Sequence, residues 1–263
     1  MPKAEMPVGV IDSGIGGLSV AAAIQERLPR EPILYAGDSA HVPYGGHSER
    51  FIRQRTLYLA SFLVDRGAKA IVIACNTATA AAASALRERY SLPVVGMEPA
   101  VKPAAAATRT GIVGVLATTG TLASARFAAL LDRFGEGIRV LTEPCPDLVR
   151  LVERGELSGP EARREVASHV TPLVRAGADT LILGCTHFPF LRALIQQEAG
   201  AGTTVIDTGP AVARQLERRL AETGRLAREG NGELTLYTSG NTADFSRVAG
   251  MLWPGAPAAC ALP

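Results

Sequence analysis

The amino-acid sequence predicts an α/β fold with mainly parallel sheets flanked by helices. Short β-forming runs alternate with helix-length segments along almost all of the 263 residues. Strands that alternate with helices in this way are joined by crossover connections, which is the arrangement of parallel sheets. A second observation is that two similar strand ends occur far apart, IVIACNT at 71–77 and LILGCTH at 181–187. The alternation predicts the fold class, and the duplication predicts two similar halves.

Nine runs have the length and composition of strands. They are rich in valine, isoleucine and leucine and are bounded by glycine, proline or polar residues. In chain order they are 7–11, 32–36, 70–74, 93–96, 111–116, 138–142, 179–183, 203–206 and 234–238. We predict helices between most of them, over 17–28, 48–66, 77–90, 122–134, 160–175, 188–199 and 209–223.

A second pair of similar segments, VIDSG at 10–14 and VIDTG at 205–209, lies at a different separation from the first pair. The chain is therefore no tandem repeat, and we expect two lobes between which it crosses twice. Lobe A is predicted to comprise 1–97 plus 208–263 and to carry Asp12 and Cys75, and lobe B to comprise 98–207 and to carry Cys185 and His187.

Charge and composition argue against several classes of protein. The 27 basic and 25 acidic residues are scattered, and no basic cluster with interleaved aromatic residues indicates a nucleic-acid surface. The N-terminal segment lacks the apolar stretch of a signal peptide. The longest charge-free stretch, 70–86, is too weakly apolar to predict a membrane span. We therefore expect a cytoplasmic protein with neither nucleic-acid nor membrane partners.

Two of the four cysteines stand out by their position. No C-x-x-C pair is present, which argues against a zinc ribbon or a thioredoxin-like motif. Cys145 and Cys260 have the features of ordinary small apolar residues. Cys75 and Cys185 each end a predicted strand and precede polar residues at a helix start, where the helix dipole lowers the pKa of a thiol. Because ligands of parallel α/β sheets lie outside the carboxyl ends of the strands, we expect a cleft with one thiol on each wall.

Polar residues beside these strand ends are further candidates. Asp12 could cap a helix, or it could orient an amine or assist proton transfer near Cys75. His187 could be a loop histidine with local hydrogen bonds, or it could share the proton of Cys185. Metal sites need three or four converging ligands, and only Cys185 and His187 are close in sequence, so no metal is expected.

Other segments are less specific. The glycines of DSGIGG at 12–17 suit a tight turn but match nucleotide-binding motifs poorly. The segment 37–48 predicts a mobile loop at the edge of the cleft. Thr118 and Thr121 could receive a carboxylate or cap a helix, whereas Glu153 has the pattern of a surface acid.

Four motifs together, VIDSGIGGLSV, GDSAHVPYGG, ACNTAT and GCTHFPFL, resemble those of the glutamate racemases in the aspartate/glutamate racemase family. The resemblance extends over nearly the whole chain and keeps the order of the motifs. It implies two α/β lobes with the active site between them and no cofactor such as pyridoxal phosphate. It also implies interconversion of L- and D-glutamate, which supplies D-glutamate for peptidoglycan.

The resemblance further implies roles for single residues. Cys75 matches the base that removes the α-proton of the D isomer, and Cys185 matches the base that acts on the L isomer. Asp12 and His187 match auxiliary groups beside the thiols, and Glu153 falls about where the family has a further acid. The positions that match substrate contacts are Asp12, Ser13, Tyr44, Gly45, Asn76, Thr77, Thr186 and His187.

Several alternatives stay open. One is an aspartate racemase or another two-thiol enzyme of the same superfamily, although aspartate-specific relatives tend to carry glutamate where this chain has His187. A second is a non-catalytic two-lobed binding protein, and a third is a redox protein with a reversible disulfide between Cys75 and Cys185. Family members form dimers of differing geometry, so a homodimer is one assembly open to this chain.

Overall fold

A computed structural model describes residues 3–263 and confirms the α/β class. Its strands are β1 (Val8–Asp12), β2 (Ile33–Gly37), β3 (Ala70–Ile73), β4 (Val94–Gly96), β5 (Ile112–Ala117), β6 (Arg139–Pro144), β7 (Thr180–Gly184), β8 (Thr204–Ile206), β9 (Leu234–Thr238) and β10 (Cys260–Ala261). Its helices are α1 (Leu18–Arg27), α2 (Glu49–Asp65), α3 (Asn76–Arg89), α4 (Val101–Ala107), α5 (Thr119–Leu122), α6 (Ala125–Phe134), α7 (Pro146–Arg154), α8 (Gly159–Arg175), α9 (Arg192–Ala199), α10 (Gly209–Glu222) and α11 (Thr242–Leu252). Across these described residues, no helix has both the length and the apolar character needed to cross a bilayer.

The strands form two separate parallel sheets. The larger sheet has the order β10-β9-β2-β1-β3-β4, and the smaller has the order β6-β5-β7-β8. Each neighbouring pair runs in the same direction, from β1 against β2 to β7 against β8. The chain leaves the larger sheet after β4 and returns to it at β9.

The central strands are apolar at almost every position because helices cover both of their faces. Every residue of β1, β3 and β7 is buried, which is typical of parallel strands between two helical layers. The edge strand β6 has instead a mixture of exposed and half-buried residues. The carboxyl ends of the buried central strands are therefore held rigidly, and they carry the candidate site.

Local capping explains where the structure departs from the predicted helices. The helix predicted over 122–134 begins later, at Ala125, since Ser124 caps α6 by accepting a hydrogen bond from the Phe127 amide at 3.1 Å and the short α5 ends before it. Helix α4, which contains Pro103, was not predicted. Proline is tolerated in a first turn, where its missing N–H would have no intrahelical partner.

Candidate active site

Strand ends from both sheets meet at one cavity. In the larger sheet β1 ends at Asp12 and Cys75 follows β3, and in the smaller sheet Thr118 follows β5 and Cys185 follows β7. The cavity brings together eleven residues singled out in the sequence: Ser13, Tyr44, Gly45, Cys75, Asn76, Thr77, Thr118, Thr121, Cys185, Thr186 and His187. The space left between its walls is about that of one water molecule.

Cys75 is the N-cap residue of α3, and its sulfur accepts a hydrogen bond from the Ala78 amide at 3.4 Å. The thiol also lies 3.8 Å from Ser13 Oγ. Burial raises the pKa of Cys75 to about 12, and the Asp12 carboxylate adds to the rise while the Ala78 amide opposes it. The expectation of an increased thiolate fraction at Cys75 is therefore wrong for this cavity, because burial outweighs the helix terminus.

Cys185 belongs to a chain of three groups. Its Sγ lies 3.5 Å from His187 Nδ1, and His187 Nε2 lies 2.7 Å from Glu153 Oε1. Burial lowers the pKa of His187, but the neighbouring Cys185 and Glu153 raise it, and the net pKa lies well above the usual 6.5. The predicted helix start is a 3-10 turn, Phe188–Leu191, so no α-helix begins directly after Cys185. A proton can pass between the thiol and the imidazole.

Glu153 is a half-buried partner of the site rather than the surface acid that its pattern indicated. It lies on α7 with its side chain 17% exposed, and Oε1 also accepts the Ile15 amide at 2.8 Å. The carboxylate thus connects α7 to the loop after β1. Only the family resemblance pointed to this residue, because both of its partners are distant in the sequence.

Asp12 is fully buried and lies behind the cavity wall rather than on it. Its carboxylate accepts hydrogen bonds from the Gly14 amide at 3.0 Å and from the Thr186 hydroxyl at 3.2 Å. Since the N-cap of α1 is Gly17, the helix-cap interpretation of Asp12 is wrong. Burial raises the pKa of Asp12, an effect that His187 and the Gly14 amide partly offset. Asp12 joins the β1 end to the segment that follows Cys185.

Hydrogen-bonding groups from both sheets line the rest of the cavity. The hydroxyls of Thr77, Thr118 and Thr121 form a triangle with sides of 2.8, 3.0 and 3.1 Å. Thr118 also caps α5, so both of its predicted interpretations remain compatible with its position. Within residues 3–263, the buried amide oxygen and nitrogen of Asn76 have no hydrogen-bond partner. These groups can bind a carboxylate or an amine.

The loop 37–48 closes the cavity against α5. A Cβ atom built on Gly45 would lie 3.0 Å from Thr118 Cβ, and one built on Gly120 would lie 3.2 Å from Gly45 Cα. The two backbones are therefore in direct contact. The remaining lining residues were not predicted, because their side chains carry no polar group that indicates a site; they are Pro43, Val149 and Gly184.

Three side chains outside the cavity are close enough together to hold a metal ion. The ligand atoms of Asp147, Glu165 and His169 lie within 4.8 Å of one another in the part of the chain that the structure describes. None of the three lines the cavity, so the chemistry available there is that of thiols, hydroxyls, an amide and an imidazole.

Comparison with known proteins agrees with this geometry. Residues 8–216 match the family described as Asp/Glu/Hydantoin racemase. A glutamate racemase of Pseudomonas entomophila is 55% identical over 254 residues, which cover 96% of each chain. The structure of a Bacillus anthracis glutamate racemase isoform has a TM-score of 0.89 at 33% identity, over 99% of this chain and 98% of that one. A Francisella tularensis glutamate racemase, solved in complex with D-glutamate, has a TM-score of 0.83 at 31% identity, over 99% and 97%. By its sequence and by its fold, the chain belongs to the Asp/Glu/hydantoin racemase family.

Proposed function

We propose that this racemase interconverts L-glutamate and D-glutamate by proton transfer between two thiols. The observation that carries the proposal is that Cys75 and Cys185 follow central strands of different sheets and line one cavity. Relatives at 55% identity are glutamate racemases, which favours glutamate as the substrate. His187, in place of the glutamate that aspartate-specific relatives tend to carry, favours it further.

The proposed reaction moves one proton off the α-carbon and another onto it. With L-glutamate bound, the Cys185 thiolate takes the α-proton and leaves a carbanion, and the Cys75 thiol donates a proton to the opposite face. The product is D-glutamate, with Cys185 now a thiol and Cys75 a thiolate. The raised pKa of Cys75 supports this assignment, because a Cys75 that keeps its proton is ready to act on the L isomer.

Fixed donors must stabilise the charge that develops during proton removal. We assign this task to Asn76 and to the hydroxyls of Thr77, Thr118 and Thr121, which line the cavity. Preoriented donors in a cavity without bulk water stabilise developing charge far better than water does. The unpartnered amide of Asn76 supports the assignment, since burying such a group without a hydrogen bond costs about 1–3 kcal/mol.

In this proposal His187 and Asp12 act as auxiliary groups beside the two thiols. His187 exchanges a proton with Cys185, and Glu153 orients its ring through Nε2. Asp12 positions Thr186 and raises the pKa of Cys75 through its charge.

The test is solvent deuterium exchange at the α-carbon of glutamate by Cys75→Ser and Cys185→Ser variants. Each substitution should lower turnover more than about 10²-fold, because a positioned acid or base typically contributes 10²–10⁴-fold. Cys260→Ser is the matched control, since Cys260 is exposed and should leave turnover unchanged. Near-normal racemisation by either active-site variant, with circular dichroism showing a native fold, would refute the two-thiol mechanism. Parallel assays with aspartate separate the two substrates.

Three further expectations stay proposals. The lobes are proposed to be 1–97 plus 208–263 and 98–207, and the protein is proposed to be cytoplasmic and to form a homodimer. Limited proteolysis tests the lobe boundaries, cell fractionation tests the cytoplasmic location, and sedimentation tests the homodimer.

A further inference from the structure

A buried carboxylate outside the cavity, Asp38, holds the loop that carries Tyr44 and Gly45. Asp38 follows β2 and is fully buried. Its Oδ2 accepts a hydrogen bond from the Tyr44 hydroxyl at 2.6 Å, and its Oδ1 accepts one from the Ser239 hydroxyl at 2.7 Å. The phenol of Tyr44, a residue on the cavity wall, is thus fixed by a group that lies behind it.

Arg55 supplies the charge that keeps Asp38 in place. Its Nε donates to Asp38 Oδ2 at 2.9 Å and its Nη2 donates to Oδ1 at 2.7 Å, a two-point ion pair. The guanidinium also lies 4.9 Å from the ring centroid of Tyr58, which limits its movement. A forked pair of this kind fixes orientation as well as charge.

The ionisation of Asp38 agrees with this arrangement. Burial alone raises the pKa of a carboxyl group, but the hydrogen bonds with Arg55, Tyr44, Ser239 and His41 outweigh it and lower the pKa of Asp38 to about 2. Removing one partner of a buried ion pair leaves the other charge uncompensated. Without Arg55, the Asp38 carboxylate would therefore reorganise, and Tyr44 would lose its fixed partner.

The residue after Tyr44 contacts the opposite wall of the cavity. Gly45 lies against Thr118 and Gly120, which belong to the segment after β5 of the smaller sheet. The path from Arg55 to the cavity therefore runs through Asp38 and Tyr44 to Gly45.

We propose that Arg55 is a positioning residue, which holds Asp38 at two points and so sets Tyr44 and Gly45 against the opposite wall of the cavity. The inference rests on the proposed function, in which Tyr44 and Gly45 contact the substrate. Arg55 itself does not line the cavity, so it acts only through Asp38.

Steady-state kinetics of Arg55→Ala test the proposal, with Arg50→Ala as the control. Arg50 lies on the same helix and is exposed. We expect the KM for glutamate to rise about tenfold in Arg55→Ala with a smaller change in kcat, because a loosened loop weakens ground-state and transition-state binding alike. Arg50→Ala should match the wild type. An unchanged KM in Arg55→Ala, or an equal rise in Arg50→Ala, overturns the proposal.

Chemical rescue separates positioning from general damage to the fold. Millimolar guanidinium chloride, well below unfolding concentrations, should restore KM in Arg55→Ala, because the ion can form the same fork with Asp38. Methylammonium should restore KM to a smaller extent. In the double variant that carries both Asp38→Asn and Arg55→Ala, KM should not respond to guanidinium. Equal rescue of the single and double variants contradicts a route through Asp38.

Hydrogen exchange gives a readout that needs no activity. The amides of His41 and His47 are hydrogen-bonded within the loop, to Asp38 O at 2.9 Å and to Tyr44 O at 3.0 Å. Both amides should exchange faster in Arg55→Ala than in the wild type, and at an intermediate rate in Arg55→Lys. The amides of β1 and β3 should keep their protection in both variants. Unchanged loop exchange overturns the proposal. If the wild-type protein fails to racemise glutamate, the proposed function fails, and this measurement still decides the role of Arg55.

Discussion

At Cys75 two influences on one thiol oppose each other. The Ala78 amide at the start of α3 favours the thiolate, and burial disfavours it. Helix-terminus interactions contribute roughly 0.3–1 kcal/mol. The rise in the pKa of Cys75 from 9.0 to about 12 corresponds to about 4 kcal/mol at 1.36 kcal/mol per pKa unit. Burial therefore determines the protonation state, which a local sequence pattern cannot reveal.

The same balance at His187 predicts how Glu153→Gln changes stability with pH. The pKa of His187 is raised on folding, so its contribution to the free energy of unfolding is full below about pH 6.5 and is lost as pH rises through the raised value. Glutamine can still accept the Ile15 amide, so the variant mainly removes charge.

Glu153→Gln should accordingly lower the free energy of unfolding by about 1–3 kcal/mol near pH 6, below the raised pKa of His187, because it removes the charged partner of the imidazole. The difference in the free energy of unfolding between the variant and the wild type should narrow as the pH rises from 6 through the raised pKa of His187. Urea unfolding across that range measures it, and a difference that widens with pH contradicts the assignment.

Among the secondary-structure elements, the contact between α5 and the 3-10 turn Tyr44–Gly46 closes the cavity. Two glycines make this contact possible, one on each side. A Cβ on Gly120 would lie 3.1 Å from Thr77 Cγ2 and 3.3 Å from the Gly45 carbonyl oxygen. Side chains there would keep the turn and α5 apart by several tenths of an ångström.

We predict that Gly120→Ala lowers kcat/KM for glutamate about tenfold, since small displacements of substrate-positioning groups are costly. Gly46→Ala is the matched control, because a Cβ on Gly46 would meet no atom within 4 Å. Steady-state racemisation of both variants is the measurement. Equal activities of the two variants would show that the contact does not matter.

On the scale of the whole molecule, the carboxyl and amino ends of the strands in the larger sheet have different roles. The carboxyl edge carries the candidate site, and the amino edge carries a buried ion pair between Lys69 and Glu31. Their charged atoms lie 2.5 Å apart and both side chains are 1% exposed. Glu31 also accepts the Ala227 amide at 2.8 Å, and Lys69 Nζ donates to the Ala4 carbonyl. The pair ties the chain before β1 and the segment before β9 to the sheet.

Lys69→Met should lower the free energy of unfolding by about 3–5 kcal/mol, because it leaves the Glu31 charge buried and unpaired. Adding Glu31→Leu should recover most of that loss. Urea titrations give both values, and the KM of the folded single variant should stay unchanged because the pair lies at the opposite edge from the cavity. A cost below about 1 kcal/mol for Lys69→Met contradicts this account.

Local sequence properties were sufficient for the fold class and for part of the site. Buried parallel strands are apolar at successive positions, so their location can be read from the chain, and the residue after each strand lies at the carboxyl edge whatever the details of packing. Cys75, Thr118 and Cys185 could therefore be recognised as neighbours of a cleft. The strand β10 was not predicted, because its two residues form no recognisable pattern.

The sequence by itself determined the alternation of strands and helices and the chemical groups at the strand ends, because both depend on short-range periodicity. Only the tertiary structure decided which distant groups act on them. Glu153 reaches Ile15 across 138 positions, and Asp38 reaches Ser239 across 201. The protonation state of the Cys75 thiol was also decided by the tertiary structure alone. Burial and long-range contacts depend on how the two sheets pack, and no local pattern of residues encodes that packing.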